Sequence, residues 1–287
     1  MTQEKQVLHV HSKDIGSFSV RRAIPQIACR HVGPFVFVDH MGPVDLPVGS
    51  GLDVRPHPHV GLATITYLFE GEIVHRDSLG TVQTITPGSV NYMTAGRGIV
   101  HSERSSVESR ERVTRMHGMQ TWVALPTADE DMEPAFDHHE ASDIPHVERN
   151  GAKLRIIAGD AYGARSPVNV RSRTLYVHAE LSPSASFTAD SDHEERAVYV
   201  ASGEISLLGE THGEGTLVVL PPGEAVITAG AKGAHAMLFG GDKLDGPRIL
   251  YWNFVATSQE RIDRAKQRWT ADDFGTVPGD PERIPLP

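Results

Sequence analysis

The chain has 287 residues, 39% of them hydrophobic and 22% charged, with a formal net charge of -10 at neutral pH. Affinity for nucleic acid rests on clustered Lys and Arg that neutralise phosphates, so an acidic chain of this kind is not expected to bind DNA or RNA directly. No apolar run reaches the roughly 18 residues of a membrane span, and the opening MTQEKQVLHVHSKD lacks the apolar core of a secretory signal, so a cytoplasmic protein without membrane contact is expected.

Between 27 glycines and 19 prolines lie short runs rich in Val, Ile, Thr and Tyr, the pattern of an all-β sandwich or barrel. In chain order the expected strands are FVFVDH, ATITYLFEGEIVHRDS, TVQTITPGSV, KLRIIAG, RTLYVHAEL, RAVYVASGEISLL, GTLVVLPPG and AVITAG. Helical period appears near the end, in TSQERIDRAKQRW. There Thr257 and Glu260 have the spacing of a capping box, and Ile262, Ala265 and Trp269 fall on one face. One amphipathic C-terminal helix packed on a barrel is the expectation. The stretches YLFEGEIVHRDSLGTVQTITPGSV and YVASGEISLLGETHGEGTLVVLPPGEA each run from Tyr through Gly-Glu-Ile to Pro-Gly. This weak repeat implies duplication of one barrel unit. An N-terminal domain over residues 1–135 and a C-terminal domain over 150–287, carrying the helix, are expected. The acidic stretch from Thr127 to Gly151 reads as a solvated linker between them.

A single cysteine, Cys29, leaves no internal disulfide and no thiolate cluster, so a metal site must be built from His and carboxylate. The sequence RPHPHVG sets His57 and His59 two apart, and residues i and i+2 of a strand point to one face. AGRGIVHSERS repeats the device with His101 and Glu103. Brought together in a barrel interior, the two pairs offer three nitrogens and one oxygen to a single divalent ion. That donor set suits Fe(II), and also Mn, Ni, Cu or Zn. His40, His75 and His117 are not assigned as ligands, His75 reading as a strand-end or supporting residue. In the second half, His193 and His235 are far apart and belong to no such pair, so the C-terminal domain is expected to bind no metal.

The stretch HPHVGLATITYLFEGEIVHRDSLGTVQTITPGSVNYMTAGRGIVHSERS resembles the signature region of pirins, members of the cupin superfamily. The similarity continues in PFVFVDHMGP, LRIIAG and YWNFVATSQERIDRAKQRW, and so covers most of the chain. The resemblance implies two jelly-roll β-barrels with a short C-terminal helix and a metal only in the N-terminal barrel, on His57, His59, His101 and Glu103. Relatives usually carry Glu where this chain has Ala63 and a basic residue where it has Val60, which implies a difference in the pocket wall or in its electrostatics. The resemblance also implies quercetin 2,3-dioxygenase activity, in which a flavonol is cleaved with dioxygen and carbon monoxide is released. Glu103 would then be the base, and Phe35, Phe37 and Met93 are candidates to receive the aromatic rings. A second implied class is a metal- or redox-dependent regulator that acts through contacts with transcription factors or metabolic enzymes.

Overall fold

The computed structural model describes residues 5–287. They form two jelly-roll barrels of β-strand with a short C-terminal helix, the architecture expected from the sequence. Among the described residues, no helix is long and apolar enough to cross a membrane.

One compact unit comprises residues 12–20, 40–141 and 244–287. Its four-stranded sheet places Asp53–His59 at an edge, then Ile99–Arg104, Ile73–Asp77 and Val82–Ile85. A second set of neighbours runs from Ala135–His139 through Val90–Thr94 and Leu62–Glu70 to Thr114–Ala124. Val20, Met41, Leu46, Leu52, Leu68, Ile73, Ile85 and Met116 close part of the interior as one buried cluster. Each large apolar side chain buried this way contributes roughly 1.5–3 kcal/mol relative to exposure.

The other unit comprises residues 21–39 and 142–243 with the described residues up to His11. Its strands include Ala152–Ala161, Thr174–Leu181, Glu195–Leu207, Thr216–Leu220 and Val226–Gly241. Leu154, Ile156, Val177, Val198, Val200, Ile205 and Leu238 belong to its apolar cluster. Gln6–His9 pairs antiparallel with Thr216–Val219 and so covers a strand edge that would otherwise be bare.

The repeat seen in sequence corresponds to a shared backbone device. Gly71 has φ 89° and Gly203 has φ 75°, a region that L side chains rarely adopt. A Cβ on Gly71 would stand 2.6 Å from the Arg115 carbonyl oxygen, and one on Gly203 would stand 2.4 Å from that of Gly233. Both glycines let two backbones approach where the strand turns out of its Tyr-bearing half.

Three expectations change. A single cut between 135 and 150 divides the sequence, but residues 244–287, helix included, pack in the unit that holds His57. Ile262, Ala265 and Trp269 bury one face of the helix Gln259–Thr270 against Val100, Phe254 and Phe274, which is the physical reason. The helix N-cap is Ser258, whose side chain accepts from Arg261 N–H, while the Thr257 hydroxyl donates to Glu130 Oε2 at 2.8 Å. The acidic stretch read as a linker is largely built into the fold. Ala135–His139 pairs with Val90–Thr94, His146–Arg149 pairs with Ala152–Arg155, and Glu130 is buried.

Candidate metal centre

His57 and His59 alternate with Pro56 and Pro58 along Asp53–His59. Proline has no amide hydrogen to give to a ladder, so a strand carrying two of them belongs at a sheet edge, where this one lies. Alternation then sends both histidines to the inner face. His101, on Ile99–Arg104, stands directly across from His57, and the register shifts before Glu103, which faces Val54. Such a bulge bends a strand and re-aims the side chains beside it.

The three imidazoles converge. One nitrogen from each of His57, His59 and His101 lies within 4.8 Å of the others. Ring centroids are 4.4 to 5.0 Å apart. Among the described residues, this is the one group of three or more His, Cys, Asp or Glu side chains with ligand atoms so close. Each ring is held from behind through Nδ1. His57 donates to the Arg55 carbonyl at 2.8 Å and His59 to the Asn253 carbonyl at 3.2 Å. His101 Nδ1 lies 3.3 Å from His75 Nδ1. Burial pushes the His57 pKa down to about 4 and holds those of His59 and His101 well below the usual histidine range, with neighbouring histidines adding to the effect. All three are therefore neutral at pH 7, the form in which a ring nitrogen can bind a metal.

The group does not extend to Glu103. Gln120 Nε2 donates to Glu103 Oε1 at 3.3 Å, and Thr66, whose hydroxyl donates to Gln120 Oε1 at 2.7 Å, lies 3.4 Å from the same carboxylate oxygen. Burial raises the Glu103 carboxyl above its ordinary range, and the hydrogen bonds from Thr66 and Gln120 act against that rise.

Cross-strand pairing identifies the wall beside the histidines. Thr64 is opposite both Met93 and Trp122, and Met93 is opposite Phe136, so these side chains share the face that Thr66 turns toward Glu103. Trp122 meets His59 edge-on at 5.0 Å, and Phe136 stacks on His75 at 4.4 Å. Met93, one of the three residues expected to receive aromatic rings, lies on this wall. Phe35 and Phe37 do not: Phe35 packs on Tyr176 and Phe239 in the C-terminal unit, and Phe37 in the same unit lies beneath the Arg22 guanidinium. The expected difference in the pocket wall is also corrected. Ala63 alternates with Thr64 and so faces away from the histidines, while Val60 packs against the cluster of Phe254, Ile262 and Trp269. His40 and His117 pair with one another, Nε2 to Nε2 at 2.8 Å, outside the cluster.

Residues 17–123 match the family profile described as Pirin, and residues 176–275 match the Pirin C-terminal cupin domain. A pirin-like protein of Caulobacter vibrioides is 47% identical over 98% of both chains. The chain belongs to the pirin family. Among other pirin relatives, a Pseudomonas aeruginosa protein provisionally named a quercetin 2,3-dioxygenase is 36% identical over 91% of this chain and 82% of its own. The crystal structure of a quercetin 2,3-dioxygenase from Acinetobacter baumannii superposes with a TM-score of 0.91 at 35% identity, covering 99% of this pirin and 95% of that chain.

The residues present fit a divalent ion. His101 Nε2 is buried without a hydrogen-bond partner, a lone pair whose isolation is costly unless something binds it. Three neutral imidazoles beside a buried carboxylate form a donor set for first-row divalent metals. Sequence reasoning missed Thr66, Gln120, Trp122 and Phe136, which reach the site only through cross-strand pairing. It also passed over Asp77, two residues after His75, although the same spacing had singled out His57 and His59.

Proposed function

We propose that this pirin cleaves flavonols with dioxygen, as an enzyme of the quercetin 2,3-dioxygenase type whose ion is held by His57, His59, His101 and Glu103. Fe(II) is the preferred ion, and Mn, Ni, Cu or Zn are accommodated by the same donors. The observation that carries the reading is the convergence of the three neutral, back-bonded histidines beside a buried carboxylate of raised proton affinity. A divalent ion bound there would supply Lewis-acid polarisation and, where the metal is redox-active as Fe(II) is, a centre for dioxygen.

The protein's own groups do the rest. Glu103 takes the proton of the flavonol 3-hydroxyl, a task favoured by the burial that raises its pKa toward the working range of a general base. Gln120 and Thr66 pin one of its oxygens. Loss of that proton raises the electron density of the ring that dioxygen attacks. Met93, Trp122 and Phe136 offer an apolar wall for the flat substrate and keep bulk water from the reacting oxygen.

Anaerobic reconstitution with Fe(II), followed by addition of quercetin and dioxygen, tests the proposal. Oxygen uptake matched by carbon monoxide release is expected, and neither in the metal-free protein. Iron-loaded protein that binds no flavonol and consumes no oxygen would end the enzyme reading and leave regulation through protein contacts in its place.

A further inference from the structure

Behind His101 lies a chain of buried polar groups that the proposed reaction does not use. Asp77 has no exposed surface, and its Oδ1 accepts the backbone N–H groups of Leu79 at 2.9 Å and Thr81 at 3.0 Å. Those two bonds fix the carboxylate in the turn that follows Ile73–Asp77. Its Oδ2 lies 3.1 Å from His75 Nε2. His75 is buried, and its ring stacks on Phe136 with an interplanar angle of 24°. The remaining nitrogen, His75 Nδ1, faces His101 Nδ1.

Two facing ring nitrogens need one proton between them, and Asp77 decides which ring supplies it. An ionised carboxylate only accepts, so a neutral His75 carries its one proton on Nε2 and presents a lone pair at Nδ1. His101 answers with Nδ1–H. Its own lone pair is then on Nε2, the atom that is buried without a partner. The opposite arrangement would aim an N–H bond from His101 Nε2 into the site and remove a ligand.

We infer that His75 and Asp77 are a positioning pair that sets the tautomer of His101 and so makes its Nε2 a ligand; the inference rests on the reading of His101 as a ligand. Metal-binding histidines commonly give their second N–H directly to a carboxylate or carbonyl, which fixes the ring and its tautomer. His57 and His59 use the carbonyls of Arg55 and Asn253. His101 reaches its carboxylate through an intervening histidine, so it is the one ligand of the three whose tautomer is set by side chains.

Asp77→Asn is the discriminating variant because it keeps the shape and reverses the polarity. Its amide oxygen stays with Leu79 and Thr81, its NH2 group turns to His75 Nε2, and both imidazoles exchange tautomers, the outcome known for an isosteric Asp→Asn change behind a catalytic histidine. In metal-free protein labelled with 15N-histidine, long-range 15N–1H spectra should show the wild-type His101 proton on Nδ1, moved to Nε2 in Asp77→Asn. Zn(II) affinity, measured by competition with a chelator, should fall about 10- to 100-fold. His75→Phe keeps the ring stack on Phe136 and removes the Nδ1 acceptor, so it should lose affinity as well, and it decides the question if Asp77→Asn does not fold. A wild-type His101 protonated on Nε2, or wild-type Zn(II) affinity in Asp77→Asn or His75→Phe, would overturn the inference. A wild-type chain that binds no metal overturns the ligand assignment instead, while the 15N spectrum still reads the tautomer.

Discussion

The two barrels differ most in what fills them. In the C-terminal barrel, Leu154, Ile156, Leu175, Val177, Ala236 and Leu238 join one apolar cluster along neighbouring strands. In the N-terminal barrel, Leu68, Ile73 and Ile85 close part of the interior, and the remainder holds His57, His59, His101, Glu103, Thr66 and Gln120. Buried polar groups are tolerated only where each finds a partner. Each histidine ring accordingly has one nitrogen engaged, and Glu103 has Gln120 and Thr66. The comparison teaches that one strand framework serves as a stabilising core when its inner positions are apolar and as a chemical site when they are polar. In the C-terminal unit His193 meets the Asp160 carbonyl, and His235 pairs with His178.

The sharpest way to break this contrast is Glu103→Gln. The amide keeps an oxygen for the ion but takes no proton, so flavonol turnover should fall about 10²- to 10⁴-fold with metal content unchanged. Equal turnover in the variant would remove Glu103 as the base. His101→Ala should weaken metal binding by more than about 100-fold, since even the partners behind a ligand are worth about 10- to 100-fold. His193→Ala and His235→Ala should retain the wild-type metal content by elemental analysis. In the apolar barrel the expected effect is on stability. Leu238→Ala should cost about 2–5 kcal/mol in urea unfolding and leave the metal affinity of the folded protein intact.

Acid should find the polar barrel first. The His57 pKa is lowered by burial to about 4 in the folded chain, against the ordinary value of 6.5 when unfolded. Between these values the unfolded state binds more protons, so metal-free protein should lose stability as pH falls from 6.5 toward 4, by roughly 3 kcal/mol for His57 alone. His59 and His101 act in the same direction, and Glu103, whose pKa is raised, acts in the opposite one. A flat stability profile across that window would contradict the picture of neutral, buried ligands. The smallest effect is expected at Ser258, where Ser258→Ala should cost about 1 kcal/mol through loss of the helix cap.

Much of this was legible in the sequence because it is local. The i, i+2 pairs His57/His59 and His101/Glu103 can be read without a fold, and so can the strand runs between Gly and Pro. What lay hidden depends on register. Thr66 meets Gln120 across two strands, and Trp122 meets His59, at sequence separations that no periodicity reports. Phe136 was obscured by its acidic surroundings, which read as linker until pairing with Val90–Thr94 gave it a face. Phe35 and Phe37 were misassigned because their strand, Phe35–Leu46, begins in one unit and ends in the other.

The claim that one barrel is a metal site and the other a core is tested most directly by anomalous diffraction at the iron edge, from crystals grown anaerobically with Fe(II). The account predicts one peak per chain, bounded by the Nε2 atoms of His57, His59 and His101, and none within the C-terminal barrel. No peak at the three histidines, or a peak beside His193 or His235, would contradict it.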